Sequence, residues 1–251
     1  MPSHSKPSRR RFKPSWLASL AVVPLLALLL ALSHWQYQRG VEKTQLVEQF
    51  LNGPVLTAGL PANPALIQRY SRVHLSGQWD GSHALLLDNM THAGAVGYRV
   101  WCPVQLSDGR WVIVDRGFIA ASPNRQQLPD VSLTPSDANN AVEWTGIVDD
   151  LPRPGVSVAQ SQESGWPRRV NYPTWRQIET LLGHPVVPWL ILLDPTEPRG
   201  FSRDWHPGGL PPERHFGYAL QWALLALTLA VGFYFTQLRP VASDAKSQGG
   251  R

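Results

Sequence analysis

His215, Tyr218 and Trp222 recur at i, i+3 and i+7 within His215-Phe-Gly-Tyr-Ala-Leu-Gln-Trp222. On a helix, that spacing sets an imidazole and two amphipathic rings on one face. A neutral imidazole is a common metal ligand, and neighbouring rings make walls for a flat ligand. The same residues admit a simpler description, because Trp, Tyr and His gather at the headgroup level of bilayers on account of their amphipathic rings. Both descriptions place the group at a membrane boundary. From Phe216 to Leu238 the chain carries no charge for 23 residues, and roughly 20 apolar residues cross a bilayer.

A second uncharged run, Pro14 to Gln38, contains a Leu-rich core from Trp16 to Leu32 interrupted only by Pro24. Proline inside a lipid-embedded helix removes one backbone hydrogen bond and is tolerated there better than in water. Lys6, Arg9, Arg10, Arg11 and Lys13 precede it without any acid, so the positive-inside rule sets the amino terminus in the cytoplasm. Arg239, Lys246 and Arg251 against Asp244 put the carboxyl terminus on the same side. The expected organisation is a basic tail over 1–13, a span over 14–36, an outer domain over 37–214, a second span over 215–238 and a tail over 239–251. Ser8-Arg-Arg-Arg-Phe-Lys13 and Ala31-Leu-Ser33 also fit an export signal with a cleavage site, but the length of the Leu-rich run favours a retained anchor.

The chain is basic, with net charge +5, yet residues 37–214 hold 15 Lys and Arg against 17 Asp and Glu. The basicity sits in the tails and serves orientation, so the outer domain carries no nucleic-acid footprint. Cys102 is the only cysteine, which rules out an intrachain disulfide. Within Tyr98-Arg-Val-Trp-Cys-Pro-Val-Gln-Leu106 it reads as a small buried residue rather than a reactive thiol or a metal ligand.

Short β-rich runs bounded by Gly, Pro, Asp and Asn predict strands over Arg72 to Trp79, His83 to Asp88, Gly97 to Leu106, Arg110 to Ile119, Val142 to Val148 and Leu190 to Leu193. Ser107-Asp-Gly-Arg110 predicts a hairpin turn, Leu128 to Ala141 a loop, and Thr174 to Leu182 a short capped helix ended by Gly183. Gln36 to Leu51 continues the first span as a helical stalk ended by Gly53-Pro54. The expected fold is two transmembrane helices flanking an antiparallel sheet or small β-barrel with minor helices.

No G-x-S-x-G, P-loop, H-E-x-x-H or C-x-x-C motif occurs, and the eight histidines show no i, i+4 pair or short ligand cluster. His34 differs from the rest by closing the first span where His215 opens the second, so one or both could hold a cofactor such as haem. Asp115-Arg116, at the end of the apolar run Trp111 to Val114, reads as a structural ion pair or turn anchor.

Trp35-Gln-Tyr-Gln-Arg39 with Glu42-Lys43, Gly97-Tyr98 with Pro103, Asp108-Gly109, Val114-Asp-Arg-Gly-Phe118, Arg203-Asp-Trp205 and Pro212-Glu-Arg-His-Phe-Gly-Tyr-Ala-Leu-Gln-Trp222 follow the order of a known family. In these residues the chain resembles the Surfeit locus protein 1 family of cytochrome c oxidase assembly factors. It departs from the pattern at Met90, where Arg is expected, and at Phe118, where Trp is usual. The resemblance implies a non-catalytic, multi-pass protein of the bacterial inner membrane with both termini cytoplasmic, whose outer domain assists maturation of haem–copper oxidase subunit I, including haem a binding.

On that resemblance His215 is the axial ligand of haem iron, Tyr218 and Trp222 line the site, and Trp35, Gln38 and Arg39 face it from the first span. Arg39 or Arg214 would pair with the propionates, since a guanidinium binds a carboxylate bidentately. His34 is outside the family pattern as a ligand. The expected partners are cytochrome c oxidase subunit I, haem a synthase as a further candidate, and the lipid bilayer. Two alternatives stand beside this reading. One is a cofactor-free scaffold for an early oxidase intermediate, and the other is a membrane-tethered hydrolase, which needs a nucleophile in the outer domain.

Overall fold

A computed structural model describes residues 10–153 and 165–240. Lys6, Arg9, Asp244, Lys246 and Arg251, on which the charge argument partly rests, lie outside the described residues. In chain order the first elements are β1 (Arg10–Phe12), α1 (Trp16–Leu51), β2 (Val55–Leu56), β3 (Arg72–Trp79), β4 (Leu85–His92), β5 (Ala95–Leu106) and β6 (Trp111–Ala120). There follow α2 (Pro135–Asn139), β7 (Ala141–Asp149), β8 (Arg168–Val170), α3 (Trp175–Leu182), β9 (Leu190–Leu193), α4 (Pro212–Thr236) and β10 (Leu238–Pro240). The chain divides into two compact units, residues 1–46 with 208–251, and residues 47–207.

The first unit is a helical hairpin. α1 has 36 residues and α4 has 25, about 54 and 37 Å at 1.5 Å per residue, and Pro24 lies inside α1 without ending it. None of the most apolar stretch of α1 and 11% of that of α4 is buried within the protein. A helix that is apolar all round and uncovered by protein has lipid as its solvent. The two helices meet through small residues: the Ser33 hydroxyl donates to the Ala219 carbonyl at 2.8 Å, Tyr37 packs on Phe216 with centroids 5.7 Å apart, and Ala219 and Ala226 are buried. Gly40 allows this approach, because a Cβ there would stand 2.6 Å from the Phe216 ring. At the other end β1 pairs antiparallel with β10, the Lys13 amide donates to the Gln237 carbonyl at 3.0 Å, and Phe12 stacks on Tyr234 at 5.6 Å.

The second unit is a small closed barrel in a mixed sheet. Its five strands run β3-β7-β9-β6-β5, and β5 closes on β3 through Gly77↔Leu106, Gln78↔Gln105 and Trp79↔Val104. β4 lies on the other part of the same β5 edge, β8 adds to β4, and β2 adds to β3. Alternation fills the barrel: Val73, Leu75 and Trp79 join Cys102, Val104, Val112, Val114, Trp144, Val148, Ile191 and Leu193 in one buried cluster, while His74 and Gln78 face outward. Ala84, Leu86, Tyr98, Val100 and Val131 form a second cluster.

The predicted hairpin is present, with the Leu106 amide bonded to the Arg110 carbonyl at 2.8 Å and Gly109 at φ +86°. So is the short helix, where Thr174 and Gln177 form a capping box and Gly183 ends it at φ +79°. Three expectations change. The sheet is not wholly antiparallel, because β9 runs parallel to β6, β2 to β3 and β8 to β4. The strand expected at His83 begins at Leu85, since Asp80 caps a 3-10 turn over Gly81–His83, and it continues to His92 past a register shift at Leu87/Met90. The expected loop contains α2, started by Thr134, whose side chain accepts the Asp137 amide.

Candidate functional site

α4 opens with Pro212 after Pro211, a residue suited to the first helical turn because its missing N–H is an orphan there anyway. One turn on, His215 is half-buried, and its Nδ1 stands 2.8 Å from Oε1 of Gln36 on α1. An amide oxygen can only accept, so the contact is a hydrogen bond when Nδ1 carries a proton, and in the neutral imidazole of that tautomer Nε2 keeps its lone pair. This is the tautomer that an imidazole ligand presents when a carbonyl or carboxylate holds its other nitrogen.

The stripe His215, Tyr218, Trp222 is helical as expected. Trp222 is half-buried, Tyr218 is 38% exposed, and both lie on the flank of α4 that includes His215. On α1, Gln36 shares a stripe with Ser33 and Gly40 at i, i+3 and i+7, the residues that face α4. Arg39 and Lys43 follow Gln36 at i+3 and i+7 and so project on its flank. The Arg39 guanidinium is exposed and donates to Glu42 at 2.7 Å, and Lys43 Nζ donates to the Gly208 carbonyl at 2.9 Å.

Trp35 and Gln38 are not brought to this flank. They lie two and five residues beyond Ser33, which turns them roughly 140–200° round α1 from the residue facing α4, and both are exposed. His34 is also exposed. It is two residues from Gln36, about 200° round the helix, so its ring leaves α1 on the side away from the His215 contact. Arg214 lines a shallow groove of about 340 Å³ with Pro211, Glu213, Gly217, Tyr218 and Gln221, on the side of α4 remote from buried Ala219. Gln36 is the residue that sequence reasoning passed over. Its signal was a polar amide at i+3 from Ser33 and i−4 from Gly40, on the face of α1 that those two small residues leave open to another helix.

In the barrel unit the shared motifs are structural locks. Asp115 is fully buried, where it meets Arg99 Nη2 and Trp101 Nε1 at 2.6 Å each and accepts the Gly117 amide at 2.9 Å; burial pushes its carboxyl up against the pull of Arg99. Its partner is therefore Arg99, not the adjacent Arg116. Arg116 donates instead to the carbonyls of Val131 at 2.7 Å and Arg199 at 2.8 Å, and lies over the Phe201 ring. Gly117 holds φ +107°, and a Cβ there would meet the Ser202 carbonyl and Arg203 at 2.6 Å. Arg203 donates to the carbonyls of Asp194 and Glu197, and Trp205 Nε1 to that of Leu193 at 2.7 Å beneath the Arg99 guanidinium. Cys102 is fully buried, and burial pushes its thiol up to about 12.

Among the described residues no group of three or more His, Cys, Asp and Glu is arranged to hold a metal ion. Ser202 Oγ lies 2.9 Å from His92 Nε2, but among the described residues no carboxylate bonds that imidazole, so the third member of a hydrolytic triad is missing.

The family model described as the SURF1 family matches residues 23–227, a span that covers the barrel unit and most of both long helices. No curated protein matches the chain.

Proposed function

This chain belongs to the SURF1 family of cytochrome c oxidase assembly factors, and we propose that it binds haem a at the outer end of its helical hairpin and assists insertion into subunit I. One observation carries the reading: the Gln36 amide lies 2.8 Å from Nδ1 of His215, so Nε2 is the ring nitrogen without a protein partner among the described residues, and in the neutral imidazole it would hold haem iron on the helix flank that carries Tyr218 and Trp222. The donor set fits the group, since a neutral imidazole backed by a carbonyl is a usual haem ligand. Bound haem would supply the iron that takes the imidazole and the porphyrin face that meets the rings.

The chain's own residues divide the remaining work. Gln36 fixes the tautomer and orientation of His215, Trp222 packs the inner wall, and Tyr218 covers the lipid side. Arg39, on the flank of Gln36, is the better placed of the two candidate arginines for a carboxylate, because Arg214 faces the groove beyond Tyr218. Trp35 and Gln38 contribute to binding only if the partner reaches round α1. The setting is the bacterial inner membrane, with the barrel unit outside and both termini cytoplasmic. Subunit I receives the haem, and haem a synthase supplies it.

The deciding experiment is the absorption spectrum and extracted haem of the full chain, purified from membranes that make haem a, for wild type and His215→Ala. Haem a in the wild type and its loss in the variant support the proposal. A colourless wild type from haem a-replete membranes overturns it in favour of a cofactor-free scaffold.

A further inference from the structure

The face of α4 turned away from α1 carries small residues and one side-chain amide that nothing in the described chain satisfies. Gly217, Gln221, Thr228 and Gly232 recur at i, i+4, i+11 and i+15, which at about 100° per residue keeps them within one stripe. That stripe lies roughly opposite Ala219 and Ala226, the residues buried against α1. A Cβ at Gly217 or Gly232 would meet nothing within 4 Å, and the Thr228 hydroxyl is turned back onto the Leu224 carbonyl at 2.8 Å. Gln221 is exposed, and among the described residues its amide makes no hydrogen bond. In lipid such an amide seeks a partner on another helix.

At the head of the stripe stand Glu213 and Arg214, both exposed and without an ion pair among the described residues. As sequence neighbours they point about 100° apart and cannot face each other on one helix. They bracket the groove of about 340 Å³ that has Gly217 and Gln221 in its wall.

We propose that α4 pairs in parallel with α4 of a second copy of this chain, through Gly217, Gln221 and Thr228. Every copy inserts with the same orientation, so two α4 helices meet parallel. A twofold axis between them then brings Glu213 of one copy to the level of Arg214 of the other, twice. An amide is both donor and acceptor, so the two Gln221 side chains satisfy each other across the axis. The glycines let the backbones approach closely enough for these bonds to form. A foreign helix would need to bring a cation, an anion and an amide at matching heights, whereas a second copy brings all three. The inference does not depend on haem binding, since the stripe lies about 100° round α4 from His215 and Trp222, although Tyr218 borders the same groove.

The test is disulfide trapping of the full chain in native membranes, in a Cys102→Ala background, with single cysteines at Gly217→Cys and Thr228→Cys compared with Leu220→Cys and Leu227→Cys. Oxidation is expected to give covalent dimer from the first two positions and little from the others. In parallel, Glu213→Arg is expected to weaken self-association about tenfold, by turning two attractions into repulsions, and the swap Glu213→Arg with Arg214→Glu to restore it. A monomer throughout, equal trapping at all four positions, trapping only to another protein, or a swap that fails to restore pairing would each overturn the proposal.

Discussion

Gln36 Oε1 lies 2.8 Å from His215 Nδ1 across the α1–α4 contact, and this bond links a family-pattern residue of the first helix to the histidine of the second. Its consequence is a sharp difference between two substitutions of Gln36. Gln36→Leu keeps the volume but removes the acceptor, and haem retained per protein is expected to fall about tenfold or more, as when a partner outside the ligand shell is lost. Gln36→Glu keeps the acceptor and is expected to retain haem. Pyridine haemochrome content after purification reads both, and equal retention by Gln36→Leu would remove Gln36 from the site.

Gly40→Leu tests whether the hairpin holds that bond together. With 2.6 Å between an added Cβ and the Phe216 ring, the helices must move apart, and both the Ser33–Ala219 and Gln36–His215 bonds are expected to break. The variant should lose haem as His215→Ala does, while the circular dichroism of the barrel is retained. Normal haem content in Gly40→Leu would show that the site does not need the helix contact.

Gly117→Ala is expected to cost about 1–3 kcal/mol or more of stability, because it adds strain at φ +107° to a collision with the Ser202 carbonyl. Gly94→Ala is the matched control, with φ +80° and open space around the added carbon, and should cost about 1 kcal/mol. Thermal unfolding of the full chain in detergent distinguishes them. Equal losses would mean that the bend at Gly117 can relax.

Cys102 supplies the pH dependence. Its thiol is raised by burial from 9.0 to about 12, so the folded state holds its proton more tightly than the unfolded chain does. The resulting stability is fully present below pH 9 and is lost as pH rises toward 12, by up to about 4 kcal/mol for a shift of three units. Wild type should therefore lose stability more steeply than Cys102→Ala between pH 9 and 11, as read by denaturant midpoints. The native thiol should resist alkylation at pH 8 until the protein unfolds, and parallel pH profiles would place the thiolate in contact with water.

What the sequence made legible was whatever depends on neighbours along the chain. Uncharged runs that must meet lipid, the alternation of Val73, Leu75 and Trp79, the Asp108-Gly109 turn and the Thr174 cap are local, and each was placed within a few residues. The i, i+3, i+7 stripe of His215, Tyr218 and Trp222 was local too. Barrel closure was not, because β5 leaves β4 and joins β3 at Gly77↔Leu106, and nothing in the Leu190–Leu193 run specifies parallel pairing with Ile113–Asp115. Which first-helix residues turn toward α4 was not legible for the same reason. Trp35-Gln-Tyr-Gln-Arg39 is contiguous, but five successive residues go all the way round a helix. Which of them turns inward is decided by Ser33 and Gly40, whose partners lie some 180 residues away.

The two strands that end the sheet, β2 and β8, span only two and three residues. A sheet edge with free amides and carbonyls is a template on which another chain can grow, and short edges bearing cations are poor templates. β8 carries Arg168 and Arg169, while the five barrel strands leave no edge among themselves. Among the described residues these two end strands thus offer little backbone to which another extended segment could adhere, and copies of the chain gain little from stacking one such strand on another.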